Sequence, residues 1–292
     1  MKNILLLIAS LVSLTLKAQY YYNDIIGTQE INKRMKTYVT AKVHSVTAAG
    51  YDPMGNKSPD FNEWQDVQAN GSVLKITTRN GQAVTRTYYQ FDDKTRLINA
   101  RDSSADAESV TTYGYDANNH LVNIRTTTKD LLHDFDQTKE EQWNYKEDKP
   151  LKLLLIVNGN DSMEYSFTID EHKNVVDEMI SHRGGTRNKL DYLYDPNKIY
   201  YFYDDQNRLT DITKYNVKAQ GLIADFMFTY DDKNQVIQRI TVLSSARIPD
   251  YFTWRYAYDE KGLKTKEVLY GKKKESTDDL KGKIEYSYSF GQ

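Results

Sequence analysis

Short segments in which apolar and polar residues alternate, separated by turn-forming residues, follow one another along the chain. Two Asn-Gly pairs, Asn80-Gly81 and Asn158-Gly159, each lie between two such segments. This dipeptide is the strongest short-range signal for a two-residue hairpin turn, and a period of two residues turns every second side chain toward one face of a strand. The pattern predicts an all-β, antiparallel meander of hairpins.

A second turn signal recurs at intervals of about 24 to 34 residues. It consists of an aromatic residue, any residue, a second aromatic residue and Asp, so a stack of similar hairpins is predicted. Weaker copies occur at Trp143–Lys146 and Phe167–Asp170. The clear copies end at Asp92, Asp116, Asp195, Asp204, Asp231 and Asp259.

Turn chemistry explains this spacing. Asp favours the first position of a type I turn, and a three-residue hairpin loop then needs a left-handed residue followed by a bulge. Asn and Gly tolerate that backbone best. Thr95 and Lys173 occupy the same position in two other copies, so we expect those two turns to be less regular. The favourable residues, three positions after their Asp, are Asn119, Asn207, Asn234 and Gly262.

The same register predicts which residues face each other across the hairpins. The predicted inward pairs are Tyr115 with Leu121, Phe91 with Leu97, Tyr203 with Leu209 and Tyr230 with Val236. The predicted surface ion pairs are Asp92 with Arg96 and Asp204 with Arg208. Ile124, Leu154 and Ile212 fall on the opposite face in this register, so either a second bulge follows or both faces are partly covered.

One helix is predicted, at residues 28–38, where Ile31, Met35 and Tyr38 recur at helical spacing. We expect it to cover the first, otherwise open, edge of the sheet; a partner-binding helix is the alternative. Residues 48–70 and 126–141 are predicted to be largely connecting segments. About 16 strands follow from one hairpin per repeat, and a sheet of that size should curl or form a barrel-like shell.

The N-terminus has the order of a secretory signal: Lys2, an apolar run from Ile4 to Leu16, and Ala18. Cleavage after residue 18 leaves 37 basic and 41 acidic residues, a net charge of −4. That balance gives no reason to expect nucleic acid as a partner, and no segment remains that is predicted to be integral to a membrane. The chain has no Cys, which excludes disulfides and thiolate metal sites. The predicted location is exported: periplasmic, outer-membrane-associated or extracellular.

Candidate chemistry is sparse. His133, Asp134 and Asp136, near Asp130, form the densest group of potential metal ligands, but their spacing matches no defined motif. A solvated charged loop is the favoured interpretation, so no metal or cofactor is predicted. No nucleophile or phosphate-binding motif is present, and the repeated Asp is better explained by turn capping than by catalysis.

The chain is rich in Tyr, with 24 Tyr against 9 Phe. Tyr suits half-buried strands that keep the hydroxyl wet. Rows of these rings could instead form a platform that stacks sugar rings or an extended peptide; packing against cross-strand aliphatic partners is the competing interpretation. The candidate ligand-binding residues are Tyr113, Tyr115, Tyr201, Tyr203, Tyr256 and Tyr258.

The repeated unit resembles the YD repeats of Rhs-type and teneurin-type secreted proteins over roughly residues 85–290. That resemblance implies spiralling β-sheets, export from a Gram-negative bacterium and, in some relatives, carbohydrate binding. The predicted organisation is a signal peptide (1–18), a helix with first strands (19–84), and repeats (85–292) continuous with them. The predicted function is a non-catalytic binding or scaffold module for glycan or protein; a carrier enclosing an apolar ligand or polypeptide is the alternative, and a hydrolase has the least support.

Overall fold

The computed structural model describes residues 19–133, 135–181, 198–243, 250–272 and 278–291. The predicted signal peptide, Asp134 and the repeat copy that ends at Asp195 lie outside these ranges. The sequence also predicts connections at 181–189, 244–250 and 271–282, and residues 182–189, 244–249 and 273–277 of these segments lie outside the described ranges as well.

A π-helical segment, Tyr21–Ile26, continues directly into helix α1, Gly27–Thr40. The described residues then form one sheet of 18 strands, with a short 3₁₀ turn at Ala69–Gly71. The strands are β1 Val43–Tyr51, β2 Lys57–Gln68, β3 Val73–Asn80, β4 Ala83–Phe91, β5 Leu97–Ser103, β6 Ala107–Tyr115, β7 Leu121–Asp130, β8 Phe135–Lys146, β9 Lys149–Val157, β10 Asp161–Ile169, β11 Val175–Ser181, β12 Ile199–Tyr203, β13 Leu209–Asn216, β14 Gly221–Tyr230, β15 Val236–Leu243, β16 Asp250–Tyr258, β17 Lys264–Lys272 and β18 Asp278–Phe290.

Each strand pairs antiparallel with the next along the chain, and the last strand pairs with the first. In that closing pair Val46 lies opposite Tyr288 and Ala48 opposite Tyr286. The sheet is therefore a closed up-and-down barrel, which confirms the predicted all-β, barrel-like meander of hairpins. Closure leaves no sheet edge in need of cover.

The helical segment lies inside the barrel, so the prediction that it covers a sheet edge is wrong. Its N-terminal residue Tyr21 contacts Tyr201 of β12, with ring centres 5.3 Å apart. Near its C-terminal end, Tyr38 contacts Tyr288 of β18, with ring centres 6.2 Å apart. β12 and β18 are six strands apart in the ring of 18, so a segment that touches both must pass through the lumen.

Because successive strands run in opposite directions, alternate connections lie at opposite ends of the barrel. We call the end that carries the turns following Asp92, Asp116, Asp170, Asp204, Asp231 and Asp259 the Asp-turn end, and the other the loop end. Helix α1 lies near the Asp-turn end. Asn32 Oδ1 accepts a hydrogen bond from the Leu97 backbone N–H at 2.8 Å, and Lys33 Nζ donates to the Asn234 carbonyl at 3.2 Å.

The predicted cross-strand pairs are confirmed: Tyr115 lies opposite Leu121, and the register shifts by one residue immediately afterwards. This bulge brings Leu121 and Ile124 to the same inner face, where they are 6% and 4% exposed. Of the two alternatives, the second bulge is therefore correct. Phe91, Tyr203 and Tyr230 repeat the pairing with Leu97, Leu209 and Val236.

Leu154 departs from this arrangement. The turn after β8 has two residues, Glu147 and Asp148, both with positive φ, and Lys146 pairs with Lys149. The shorter turn changes the register, so Leu153, which is fully buried, points inward instead of Leu154.

The left-handed positions are also as predicted. Asn119, Asn207, Asn234 and Gly262 have φ of 68°, 59°, 58° and 78°. Thr95 and Lys173 adopt the same conformation, with φ of 60° and 65°. Both turns therefore form despite the side-chain penalty, because the rest of the hairpin holds them.

Alternation places most of the buried apolar side chains in the lumen, although some polar residues such as Gln65 and Glu178 are also buried there, and large apolar residues such as Met163 and Phe202 are exposed on the outer wall. Two buried clusters lie in the lumen, and the helical segment contributes to both: one contains Ile25 with Trp143 and Leu153, the other Met35 with Leu74. Outward positions on the same strands carry charged and polar residues, such as those of the pairs Lys152–Glu164 and Arg255–Gln238. Among the described residues, no helix is long and apolar enough to cross a bilayer.

Two segments predicted to be connections are strands. Residues 57–68 form β2, and most of 126–141 belongs to β7 and β8. In β2 even an inward position is polar, since Gln65 is 3% exposed and its Oε1 accepts a hydrogen bond from the Tyr38 hydroxyl at 2.9 Å. Although Phe61 of the same strand is buried, polar residues at inward positions weaken the alternation that identifies strands in a sequence.

Candidate functional site

The Asp of each repeat is a turn cap. Asp204 Oδ1 accepts the backbone N–H groups of Gln206 and Arg208 at 3.0 and 2.9 Å. The backbone hydrogen bond from Arg208 holds the pKa of this carboxyl below its ordinary value. The same pair of backbone bonds is made by Asp92, Asp116, Asp231 and Asp259.

The second aromatic residue of each repeat fastens it to the preceding repeat. The Tyr203 hydroxyl donates to the Val175 carbonyl at 2.8 Å, at the point where the preceding turn ends. Burial raises the pKa of Tyr230, which makes the equivalent bond to Leu209, to about 12. Further bonds of this type join Tyr115 to Leu97, Tyr145 to Leu121, Tyr258 to Val236 and Tyr288 to Lys264.

A third link reaches forward to the next turn, from the residue four positions after Asp. The two predicted ion pairs show it: Arg96 bonds back to Asp92 and forward to Asn119, and Arg208 bonds back to Asp204 and forward to Asn234. His120 bonds to Asp116 and, through Nε2 at 3.1 Å, to Asp148. The sequence indicates the backward pairs but not the forward ones, which depend on how neighbouring hairpins are spaced.

The six candidate Tyr rings point into the lumen and do not form an open platform. Tyr201 is 2% exposed, and its hydroxyl donates to Glu178 at 2.8 Å. Tyr256 lies against Lys264, whose Nζ is 4.8 Å from the ring centre. The remaining candidates, Tyr113, Tyr115, Tyr203 and Tyr258, are half-buried. Closure of the barrel turned these rings inward, and a ligand-binding role for them stays a prediction.

Glu178 anchors the start of the helical segment. Its Oε1 accepts the Tyr20 backbone N–H and its Oε2 the Tyr21 backbone N–H, both at 3.0 Å. With the Tyr201 hydroxyl these bonds satisfy a carboxylate that is 1% exposed. Burial nevertheless raises its pKa above the ordinary value. The residue therefore holds the segment at the wall of the lumen.

A second acidic group lies nearby. Burial, with the Glu141 carboxylate as the next cause, raises the pKa of Asp24 well above its ordinary value. Burial also raises the pKa of Glu141, although Lys139 forms an ion pair with it. Asp24 Oδ2 has no hydrogen-bond partner among the described residues. This arrangement favours a protonated carboxyl inside the barrel.

Sequence reasoning missed Asp24, Glu141 and Glu178. For Glu141 a signal existed, because it precedes Trp143 and Tyr145 by two and four residues and so shares their inward face. A charged residue in an inward register is a candidate for a buried polar network. Asp24 and Glu178 lack such a pattern, since they meet only when the helical segment enters the lumen.

The predicted acidic loop does not form a metal site among the described residues. His133 Nδ1 lies 3.0 Å from Asp130 Oδ2, and the His133 side chain is 75% exposed. No group of three potential ligands is close enough to hold a metal ion anywhere in the described ranges.

Exposed apolar side chains occur at three places on the rim of the loop end. They lie in or beside the β1–β2, β7–β8 and β13–β14 connections, which are six strands apart from one another around the ring. They form three separate groups, and the β7–β8 group is the largest. Large exposed apolar side chains that occur together usually mark an interaction surface. These residues, with their exposed fractions, are Met54 86%, Leu131 56%, Leu132 65%, Phe135 55%, Val217 64% and Leu222 48%; we call them the loop-end apolar residues.

Comparison with known proteins gives only distant structural similarity. No protein-family model and no curated protein matches the chain. A porin-like protein from Bacteroides uniformis is 10% identical, with 85% of this chain and 98% of that chain covered and a TM-score of 0.38. A porin-like protein from Bacteroides vulgatus is 11% identical, with the same coverage and a TM-score of 0.30.

A third similar structure is described as TcdB2-TccC3-Cdc42; it is 12% identical, with a TM-score of 0.33. The alignment covers 85% of this chain but only 15% of that one. Similarities this weak identify neither a family nor a function.

Proposed function

We propose that this protein is an exported, non-catalytic module that binds a protein partner through its loop end. The loop-end apolar residues carry this proposal, because they project from three connections at one end of the barrel. They are mostly aliphatic, and aliphatic side chains suit the apolar centre of a protein interface. Recognition of a glycan would favour flat aromatic faces with polar groups beside them.

An enzymatic role has less support in the geometry. A glycoside hydrolase needs paired acidic groups in a cleft that the substrate can enter. The acidic groups with raised pKa are Asp24, Glu141 and Glu178, which line the buried start of the helical segment. Glu178 uses both of its oxygens to hold backbone N–H groups. We therefore propose that these three carboxyl groups have a structural role and not a catalytic one.

A carrier role is disfavoured by what fills the lumen. The helical segment crosses the Asp-turn half, where Tyr22 lies against Phe226 and Phe228 with ring centres 5.7 and 5.6 Å away. A ligand enclosed at this depth would have to displace the segment.

The charged pairs on the outer wall support a barrel that stands in water, although single apolar residues such as Met163 and Phe202 are exposed between them. Barrels that cross a bilayer turn an apolar band outward, whereas this wall carries pairs such as Arg101–Glu108 and Lys152–Glu164. We propose export on the basis of the N-terminal signal pattern and membership of the YD-repeat proteins on the basis of the repeated motif. The inter-repeat bonds from Tyr to the preceding carbonyl fit a protein built by repetition of one unit.

The proposal can be tested with a phage-displayed peptide library and a glycan array screened against the same protein. We expect peptides with an apolar consensus that lose binding to a Leu132→Ser, Val217→Ser double variant. The control is Ile98→Ser, which removes an apolar side chain of 38% exposure from the outer wall and should leave binding unchanged. Hits on glycans alone, or peptide binding that survives the double substitution, would refute the proposal.

A further inference from the structure

The grooves between neighbouring Asp turns are filled in different ways. In the groove between the Asp92 and Asp116 turns lies the guanidinium of Arg96. Its Nε donates to Asp92 Oδ2 at 2.7 Å, and its Nη1 donates to Asn119 Oδ1 at 2.8 Å. The guanidinium carbon is 4.6 Å from the centre of the Tyr115 ring.

The groove between the Asp204 and Asp231 turns repeats this arrangement with Arg208. Its Nε donates to Asp204 Oδ2 at 2.7 Å, and its Nη1 donates to the Asp231 carbonyl at 3.0 Å. The guanidinium carbon is 5.0 Å from the centre of the Tyr230 ring. Two copies therefore define the same cradle: a carboxylate, acceptors on the next turn and the face of a Tyr ring.

The groove between the Asp231 and Asp259 turns has the cradle without the guanidinium. Gln235 stands where the other copies have Arg, and Gly262 stands where they have Asn. Gln235 is shorter than Arg, and Gly262 has no side chain to accept a hydrogen bond. Gln235 Nε2 reaches only the Gly262 carbonyl, at 3.4 Å. A cavity of about 390 Å³ lies at this place. Its walls include Asp231, Tyr256, Tyr258 and Asp259.

Three acidic residues, Asp231, Asp232 and Asp259, and one basic residue, Lys233, line this cavity. Two other cations lie beside it and already have partners: Lys264 forms an ion pair with Glu267 and Lys33 donates to the Asn234 carbonyl. Asp231 Oδ1 accepts the backbone N–H groups of Lys233 and Gln235. Asp231 Oδ2 corresponds to the atom that accepts from the Arg Nε in the other two grooves, and it has no hydrogen-bond partner among the described residues.

The groove between the Asp170 and Asp204 turns shows why a missing Arg does not by itself leave a site. Asn174 occupies the Arg position there, and its Nδ2 donates to Asn207 Oδ1 at 3.0 Å. The two amides bridge the groove. With Gly262 in place of Asn, that amide–amide bridge cannot form, and Gln235 makes only the longer bond of 3.4 Å to the Gly262 carbonyl beside the cavity that Tyr258 lines.

We propose that the groove between the Asp231 and Asp259 turns binds a guanidinium group, supplied by an arginine side chain of a polypeptide. The guanidinium takes the place that Arg96 and Arg208 fill in the other copies. It bonds to Asp231 and to the carbonyl groups of the next turn, and it stacks on Tyr258. The polypeptide source rests on the proposed function; the guanidinium chemistry does not, and the site lies at the opposite end from the loop-end apolar residues.

Isothermal titration with four probes tests the site: N-acetylarginine amide, acetyl-Gly-Gly-Arg-Gly-Gly-amide, its lysine counterpart and guanidinium chloride. We expect the arginine peptide to bind with a Kd on the order of millimolar, as suits a single anchored group. The lysine peptide should bind about tenfold more weakly, since ammonium cannot bond bidentately. Equal binding of both peptides would overturn guanidinium selectivity, and exclusion of the arginine peptide while the amide binds would overturn a polypeptide source.

Two variants make the test specific to this groove. Gln235→Arg supplies an internal guanidinium and should weaken binding of the arginine peptide at least about tenfold. Asn174→Arg adds the same charge at the matching position of another groove and should leave binding unchanged. Folding of both variants is checked by thermal unfolding. Undiminished binding by Gln235→Arg, or no binding by the wild-type protein, would overturn the proposal, and neither result depends on the loop-end test.

Discussion

The Tyr115 hydroxyl donates a hydrogen bond of 2.9 Å to the Leu97 carbonyl oxygen, and so joins one hairpin to the next. Leu97 is the first residue after the preceding Asp turn, where the ladder between the two hairpins has ended: the pairing of β5 with β6 begins at Asn99 and Thr112. The Tyr therefore closes a gap that backbone pairing leaves open. Repetition of this bond along the chain explains why the aromatic residue before Asp is so often Tyr rather than Phe.

Replacement of this Tyr by Phe should destabilise the barrel. Tyr115→Phe and Tyr203→Phe each leave a carbonyl without its donor, at a cost of about 1 kcal/mol per site. Urea unfolding measures the change. The control is Tyr88→Phe on the outer side of β4, which should change stability by less than about 0.5 kcal/mol. Equal effects at Tyr88 and Tyr115 would show that the inter-repeat bond contributes little.

Removing the turn-capping side chain should lower the free energy of unfolding more than removing its charge alone. Asp204→Ala loses the acceptor for two backbone N–H groups, and we expect a loss of about 1 to 2 kcal/mol. Asp204→Asn keeps an acceptor oxygen, so the loss should be smaller. Asp205→Ala, one residue further along the turn, serves as control. Chemical denaturation of the three variants measures these changes in the free energy of unfolding. An Asn variant as unstable as the Ala variant would contradict the prediction.

The two unfavourable left-handed residues offer a gain in stability. Thr95 has φ of 60°, a conformation that costs a β-branched residue about 1 kcal/mol more than Asn or Gly. Thr95→Asn should therefore raise the free energy of unfolding by roughly that amount, and Asn119→Thr should lower it by more, because it also removes the Oδ1 atom that accepts from Arg96. Thermal unfolding of both variants measures the changes. Shifts of the same sign would be inconsistent with backbone strain as the cause.

Loss of the Glu178 anchor should loosen the helical segment without opening the wall. Glu178→Ala leaves the backbone N–H groups of Tyr20 and Tyr21 without acceptors, and we expect a loss of about 3 kcal/mol. Hydrogen exchange should accelerate in residues 20–26 more than in the strands. Glu164→Ala, at an exposed position on β10, is the control. Uniform acceleration through all strands would argue that the segment and the barrel form one cooperative unit.

The buried carboxyl of Asp24 should make stability depend on pH. Its raised pKa, caused first by burial and then by Glu141, means that the folded state favours the protonated form. This contribution is complete below the ordinary carboxyl pKa of about 4 and is lost as the pH rises through the raised pKa. Asp24→Asn should raise Tm by a few degrees at about pH 8 and change it little at about pH 4.

The control for this prediction is Asp106→Asn, an exposed position in the β5–β6 connection, which should behave as the wild type at both pH values. A Tm difference for Asp24→Asn that is the same at both pH values would show that the Asp24 carboxyl does not titrate differently in the folded and unfolded states.

Local chemistry determined a large part of this protein. The Asp turns, the left-handed Asn and Gly residues and pairs such as Tyr115 with Leu121 follow from the sequence, because each depends on residues within one hairpin. The all-β meander follows for the same reason. Where polar residues occupy inward positions, as Gln65 does in β2, the alternation is weakened and the sequence of the strand resembles that of a loop.

Closure and the contents of the lumen were decided only in three dimensions. The pairing of Val46 with Tyr288 joins residues far apart in the sequence, and no local pattern encodes it. Closure turned the Tyr rows inward and left the helical segment no sheet edge to cover. Contacts such as Glu178 with Tyr20 then depend on that placement. The sequence by itself specifies the hairpins; the tertiary structure decides what they enclose, because the ring of backbone hydrogen bonds closes only when all the strands have paired.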